Sequence, residues 1–170
     1  ELSERIRFNA DDADAYHSRG VVYGQLMEVA LAISDFDKVI HLEPRNAEAY
    51  YNRGMSYVYQ RHHEKAISDF GRAVELCPDH VDAYNNRGAA NAELGRSAEA
   101  LADAETTLAL DPRRASAFAV RAIALTQQGL SNEALHDTTN AVELGFDRHQ
   151  LDHLLEQARV SRRMREIEDD

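Results

Sequence analysis

The chain has 170 residues, with 19 Lys and Arg against 30 Asp and Glu, a formal net charge of −11, 44% hydrophobic residues, one Cys and no Trp. That length supports one domain with a real core, and the hydrophobic share excludes a disordered acidic tail. No stretch approaches the ~18 apolar residues that a membrane helix needs. The lone Cys77 excludes an internal disulfide framework. A negative charge that survives protonation of all eight His repels phosphate backbones and anionic lipid.

Slid against itself, the sequence repeats every 34 residues without insertion. Residues 1–12 form the remnant of a preceding block: Leu2, Ile6 and Phe8 hold the places of a second helix, followed by a turn. The chain therefore reads as a piece of a longer protein, and the lack of a signal or transmembrane segment favours the cytoplasm. Four blocks follow, at 13–46, 47–80, 81–114 and 115–148. Apolar spacings of three and four predict two amphipathic helices in each, separated by a turn near the fifteenth place, where Gly95 and Gly129 sit.

Within each block the fourth place is aromatic (Tyr16, Tyr50, Tyr84, Phe118) and the eighth is small (Gly20, Gly54, Gly88, Ala122). The twentieth is Ala (Ala32, Ala66, Ala100, Ala134), so paired helices can approach closely around the aromatic ring. Enlarging Gly88 to Val should cost ~1–3 kcal/mol by overpacking. Pro44, Pro78 and Pro112 end the second helices of the first three blocks, and Asn46 and Asp79 offer caps for the helices that follow. Tyr23 and Tyr57 become Asn91 and Leu125, while Phe36 and Phe70 become Ala104 and Thr138. The second half is thus expected to pack smaller side chains and to open locally first. In residues 149–170, Leu151, Leu154, Leu155 and Ala158 share one face of a capping helix. From Val160 onward the sequence predicts a solvated, fraying end.

Charge repeats as well. Arg19, Arg53, Arg87 and Arg121 hold the seventh place, and Asp35, Asp69, Asp103 and Asp137 the twenty-third. The two places face each other across a helix pair, which predicts a ladder of structural ion pairs within or between blocks.

The residue types at these offsets resemble tetratricopeptide repeats over about four-fifths of the chain. The resemblance implies an all-α, right-handed superhelical solenoid of antiparallel helix pairs, with first helices lining a concave groove that binds a peptide or helix. By register, the candidate groove residues are His17, Val21, Tyr51, Asn52, Met55, Tyr59, Asn85, Asn86, Ala89, Glu93 and Ile123. Asn52 and Asn86 stand where family members grip a peptide backbone, although solvated polar residues would look the same. Asp14, Glu48 and Asp82 along one edge favour a partner with basic residues. Family members that clamp a chaperone's terminal carboxylate use cations where this chain has Asp82, Tyr51, Asn86, Ser116 and Val120, so that ligand is disfavoured.

Catalytic constellations are not found: no Gly-rich phosphate loop with Lys, no nucleophile-elbow Ser, no His-Glu-x-x-His and no paired Cys. The chain is accordingly read as no enzyme and as needing no cofactor. His62-His63-Glu64 is expected in a solvated turn, and Cys77 in packing rather than reactivity. His149, His153 and Glu156 share a helix face but lack further ligands, so no metal site is assigned. Arg159, Arg162, Arg163 and Arg165 are expected to meet nearby carboxylates rather than nucleic acid. The sequence therefore points to a scaffold or adaptor module. The alternatives are a structural spacer or self-assembling segment, pairing through the truncated N-terminal face, and a targeting or regulatory domain of a larger enzyme.

Overall fold

A computed structural model describes residues 1–168. Among the described residues every regular element is a helix: α1 (Leu2–Phe8), α2 (Ala13–Gln25), α3 (Val29–Leu42), α4 (Ala47–Tyr59), α5 (His63–Leu76), α6 (Val81–Glu93), α7 (Ser97–Leu110), α8 (Ala115–Gln128), α9 (Ser131–Glu143) and α10 (Arg148–Glu168). Helices α2, α4, α6 and α8 begin one repeat apart, and α3, α5 and α7 stop two residues before Pro44, Pro78 and Pro112. None of the helices is long and apolar enough to cross a membrane, among the described residues.

The chain divides into two compact units, Glu1–Ala83 and the residues from Tyr84 onward. In the first, α2 packs on α3 and α4 on α5, with α1 against α2. Its core is built on Phe36 and Phe70, both essentially buried, among Ala15, Ala32, Ala49, Ala66 and Ala73. A Cβ on Gly54 would stand 2.8 Å from the Phe70 ring, which is why the eighth place must be small. In the second unit one core cluster is Ala92, Ala100, Ala104, Val120 and Ala124, and another is Ala119, Ala122, Ala141, Leu151 and Leu155. Thr107, Thr126 and Thr138 are buried there, each hydroxyl donating to the carbonyl four residues earlier. Asn91 is buried as well.

Each block contains a bidentate Arg–Asp pair joining its own two helices. Nε and Nη2 of Arg19, Arg53, Arg87 and Arg121 donate to Asp35, Asp69, Asp103 and Asp137 over 2.6–2.9 Å. The carboxylates are almost wholly buried. Every guanidinium also lies over the aromatic ring of its own fourth place, at 5.4–5.6 Å. These hydrogen bonds hold the guanidinium pKa of Arg19, Arg53 and Arg121 above its ordinary value, against the opposing pull of burial. Arg53 reaches further, donating through Nη1 to Asp37 in the preceding block at 2.6 Å.

Beyond Val160 the described residues are mostly exposed, as expected, yet they stay helical: α10 runs through Glu168, with the guanidinium groups of Arg162 and Arg165 beside the turns at Gly129 and Gly95. Two expectations, on His63 and Asp79, need correction. His63 is not solvated but buried in the first turn of α5, with neither ring nitrogen hydrogen-bonded among the described residues. Asp79 does not cap α6, since it lies two residues before Val81 and accepts instead from Cys77 Sγ at 3.0 Å. Nδ1 of His80 takes the capping place, accepting from the Ala83 N–H at 3.4 Å. Asn46 does cap α4, and Asp12 caps α2 while pairing with Arg5 of α1.

Candidate functional site

The candidate groove residues sort into two groups, one in each unit. On the first, the amide of Asn52 in α4 meets His17 Nε2 of α2 at 3.2 Å, and His17 stands edge-on to Phe36 with ring centroids 5.8 Å apart. Tyr51 packs on Phe70 at 5.8 Å and on His80 at 4.7 Å, and His80 Nε2 lies 3.6 Å from the Glu48 carboxylate. Val21 and Met55 are half-buried, whereas Tyr59, at the far end of α4, is 58% exposed. The face is therefore largely aromatic, with the Asn52 amide engaged by His17 and with exposed carboxylates at Asp14 and Glu48.

The second group lies under α10. Leu151, Leu155 and Ala158 are buried, the leucines packing with Ala119, Ala122 and Ala141, and Phe118, Ile123 and Phe146 close around them. Helix α10 thus sits along α8, on the face that the register assigns to the groove. Asn85, Ala89, Glu93 and Ile123 come together there and line a cavity of about 620 Å³, closed on its other side by α10 residues from Gln150 to Ser161. Asn85 is buried, accepting from Ser116 Oγ at 2.9 Å and donating to Asn86 Oδ1 at 3.3 Å. Gln127, not among the candidates, lines the same cavity and donates through Nε2 to the Ala92 carbonyl at 2.8 Å.

Sequence reasoning found the capping helix and its apolar face but not the cavity that α10 walls. On that face Leu151, Leu155 and Ala158 continue at helical spacing through Arg162 and Arg165, whose aliphatic stems can prolong an apolar face. His149, His153 and Glu156 do not converge. His153 meets Gln157 at 3.1 Å, Glu156 accepts from Arg159 at 3.1 Å, and no group of three or more His, Cys, Asp or Glu is placed to hold a metal among the described residues. Arg162 likewise donates to Glu166, at 2.7 Å.

Residues 47–80 match the family model for the tetratricopeptide repeat, and residues 70–102 match a second tetratricopeptide-repeat model. The chain carries tetratricopeptide repeats. Among solved structures it is similar to MamA, at 24% identity with 84% of each chain covered and a TM-score of 0.80, a likeness that shows the fold. It also resembles the TPR domain of Arabidopsis OM64, at 26% identity over 64% of this chain and 89% of that one, with a TM-score of 0.62. The first TPR of Spaghetti (RPAP3), solved bound to the HSP90 peptide SRMEEVD, is 28% identical over 70% of this chain and 93% of that one, with a TM-score of 0.66. No curated protein sequence matches the chain.

Proposed function

We propose that the chain is a protein-interaction module, a scaffold or adaptor, that binds a peptide or helix of a partner on its first-helix faces. The observation that carries this reading is α10, an amphipathic helix seated on α8 with Leu151, Leu155 and Ala158 buried. A face that accepts a helix of its own chain has the shape and the apolar floor for one. The peptide-bound relative supports peptide binding by this kind of repeat. The ligand differs in charge, however. With Asp82, Tyr51, Asn86, Ser116 and Val120 in the cationic places, and with Asp14 and Glu48 exposed, a partner segment with basic residues fits better than an acidic chaperone tail.

The test is capture from lysate on the immobilised chain, set against a Tyr51→Ala, Asn52→Ala, Asn86→Ala variant that circular dichroism shows to be folded. Partners lost from the variant support binding through these faces; the same partners on both baits would refute it. A second reading, self-association through α1, rests on Phe8, which is 83% exposed on that helix. A mass in light scattering that rises with concentration, and falls in Phe8→Asp, would favour it.

A further inference from the structure

The cavity between α6, α8 and α10 joins an apolar floor to an acidic rim. Ala119 and Val120 are buried at its base, Ala89 and Ile123 are half-buried beside them, and Leu154 of α10 lines the other side. Two exposed carboxylates complete the lining, Glu93 from α6 and Glu156 from α10. No Lys or Arg is among the described lining residues. Glu156 accepts from Arg159 at 3.1 Å, one turn along the same helix, with both side chains more than half exposed. A surface pair of that kind contributes little, and a carboxylate has lone pairs for more than one donor, so Glu156 can take a second cation. The net charge of −11 adds a field that draws cations to the rim and repels anions.

We propose that this cavity takes a long cationic side chain, lysine or arginine, from the partner. The aliphatic stem lies over the floor, and the charged head reaches the carboxylates of Glu93 and Glu156. The proposal rests on the reading of the chain as a partner-binding module and assigns one basic residue of that partner to one place. Lys and Arg alone join a run of methylenes to a positive charge, the same two chemistries that the floor and the rim present. A purely apolar side chain would cover the floor but strip water from two carboxylates without replacing it. Short polar side chains bring little apolar surface to the floor and no charge to the rim. An acidic side chain is repelled by both glutamates. A cavity of about 620 Å³ has room for the stem and the flanking backbone while α10 stays seated.

The experiment is an NMR titration of the isotope-labelled chain with the N-acetyl, N-methylamide derivatives of lysine, arginine and norleucine. Norleucine keeps the lysine stem and lacks its charge. Saturable shifts at Ala89, Glu93 and Ile123 are expected with the cationic probes, and norleucine should bind about three- to tenfold more weakly at low salt. That gap should close at roughly 0.5 M salt, where exposed charges are screened. It should also close in the double variant Glu93→Gln, Glu156→Gln, whose two positions are exposed and leave the core untouched. Equal binding of all three probes, shifts centred elsewhere, no saturation, or a cation preference that survives the double variant would each overturn the assignment. Failure of the probes while partner capture still depends on Tyr51, Asn52 and Asn86 removes this pocket alone. Loss of the module reading shows separately, as capture that ignores the groove variant.

Discussion

The guanidinium of Arg165 lies so close to Gly95 that a β-carbon at that turn would collide with its Nη1, and Arg162 stands in the same relation to Gly129. Two turns of the second unit thus lie against arginines of the last turns of α10. Replacing Arg165 with Ala should speed amide exchange about tenfold over residues 161–168, a loss of roughly 1.4 kcal/mol of local stability. The segment anchored by Leu151, Leu155 and Ala158 should stay protected. Exchange read by mass spectrometry decides it, and an unchanged profile would mean that the contact does not hold the helix.

The same turn position is left-handed in all four blocks, at Met27 (φ 61°), Arg61 (φ 58°), Gly95 (φ 71°) and Gly129 (φ 83°). Two blocks tolerate strain that the other two avoid with glycine. Met27→Gly should therefore stabilise the chain by about 0.5–1 kcal/mol, the relieved strain exceeding the added entropy of the unfolded chain. Gly95→Ala should cost about 1 kcal/mol or more, since it adds strain and displaces Arg165. Urea midpoints moving in opposite directions would bear this out; a loss on Met27→Gly would contradict it.

Removing one member of a buried ion pair leaves the other charge uncompensated. Asp69→Ala strands Arg53, whose side chain is 19% exposed and whose other carboxylate partner, Asp37, stands at the surface. The expected cost is about 3 kcal/mol. The double change Arg53→Met, Asp69→Leu should restore most of it, because no buried charge then remains and the exposed Asp37 is hydrated. A thermal melt of Asp69→Ala matching the parent would show that the pair contributes nothing.

Cys77 donates its thiol proton to Asp79, and that bond together with the adjacent negative charge raises the thiol above its ordinary pKa. A raised pKa lowers the thiolate fraction at neutral pH, so alkylation should be slow and its pH profile displaced upward. In Asp79→Asn the profile should move down and the rate at pH 8 should rise. Iodoacetamide kinetics across pH test this directly. Coincident profiles would mean that Asp79 does not control the thiol.

Much of the fold is legible because it is periodic. A helix pair in every block follows from apolar spacing, and its ends follow from Pro44, Pro78 and Pro112. Asn46 reads as a cap because its side chain reaches the Ala49 N–H from the residue just before the helix. Asp79 fails the same reading by one position. His63 looks solvated because polar residues at turns usually are, yet its ring folds under the first turn of α5. The apolar face of α10 is legible in its spacing, but the cavity beneath it is not. It depends on how α10 lies across α8, where Leu151, Leu155 and Ala158 are buried, and the arginines near the glycine turns resemble an ordinary charged tail in sequence.

Helix α10 follows α9 after only residues 144–147, so on the proposed reading it occupies the partner's seat as a tethered competitor. Tethers this short hold a segment at effective concentrations in the millimolar range or above. An outside helix directed to the same seat must displace it, and the measured affinity equals the intrinsic affinity multiplied by the fraction of time the seat is open. Substitutions that loosen α10 would then tighten partner binding without touching the partner. The threshold at which a competing helix wins is written into α10 itself.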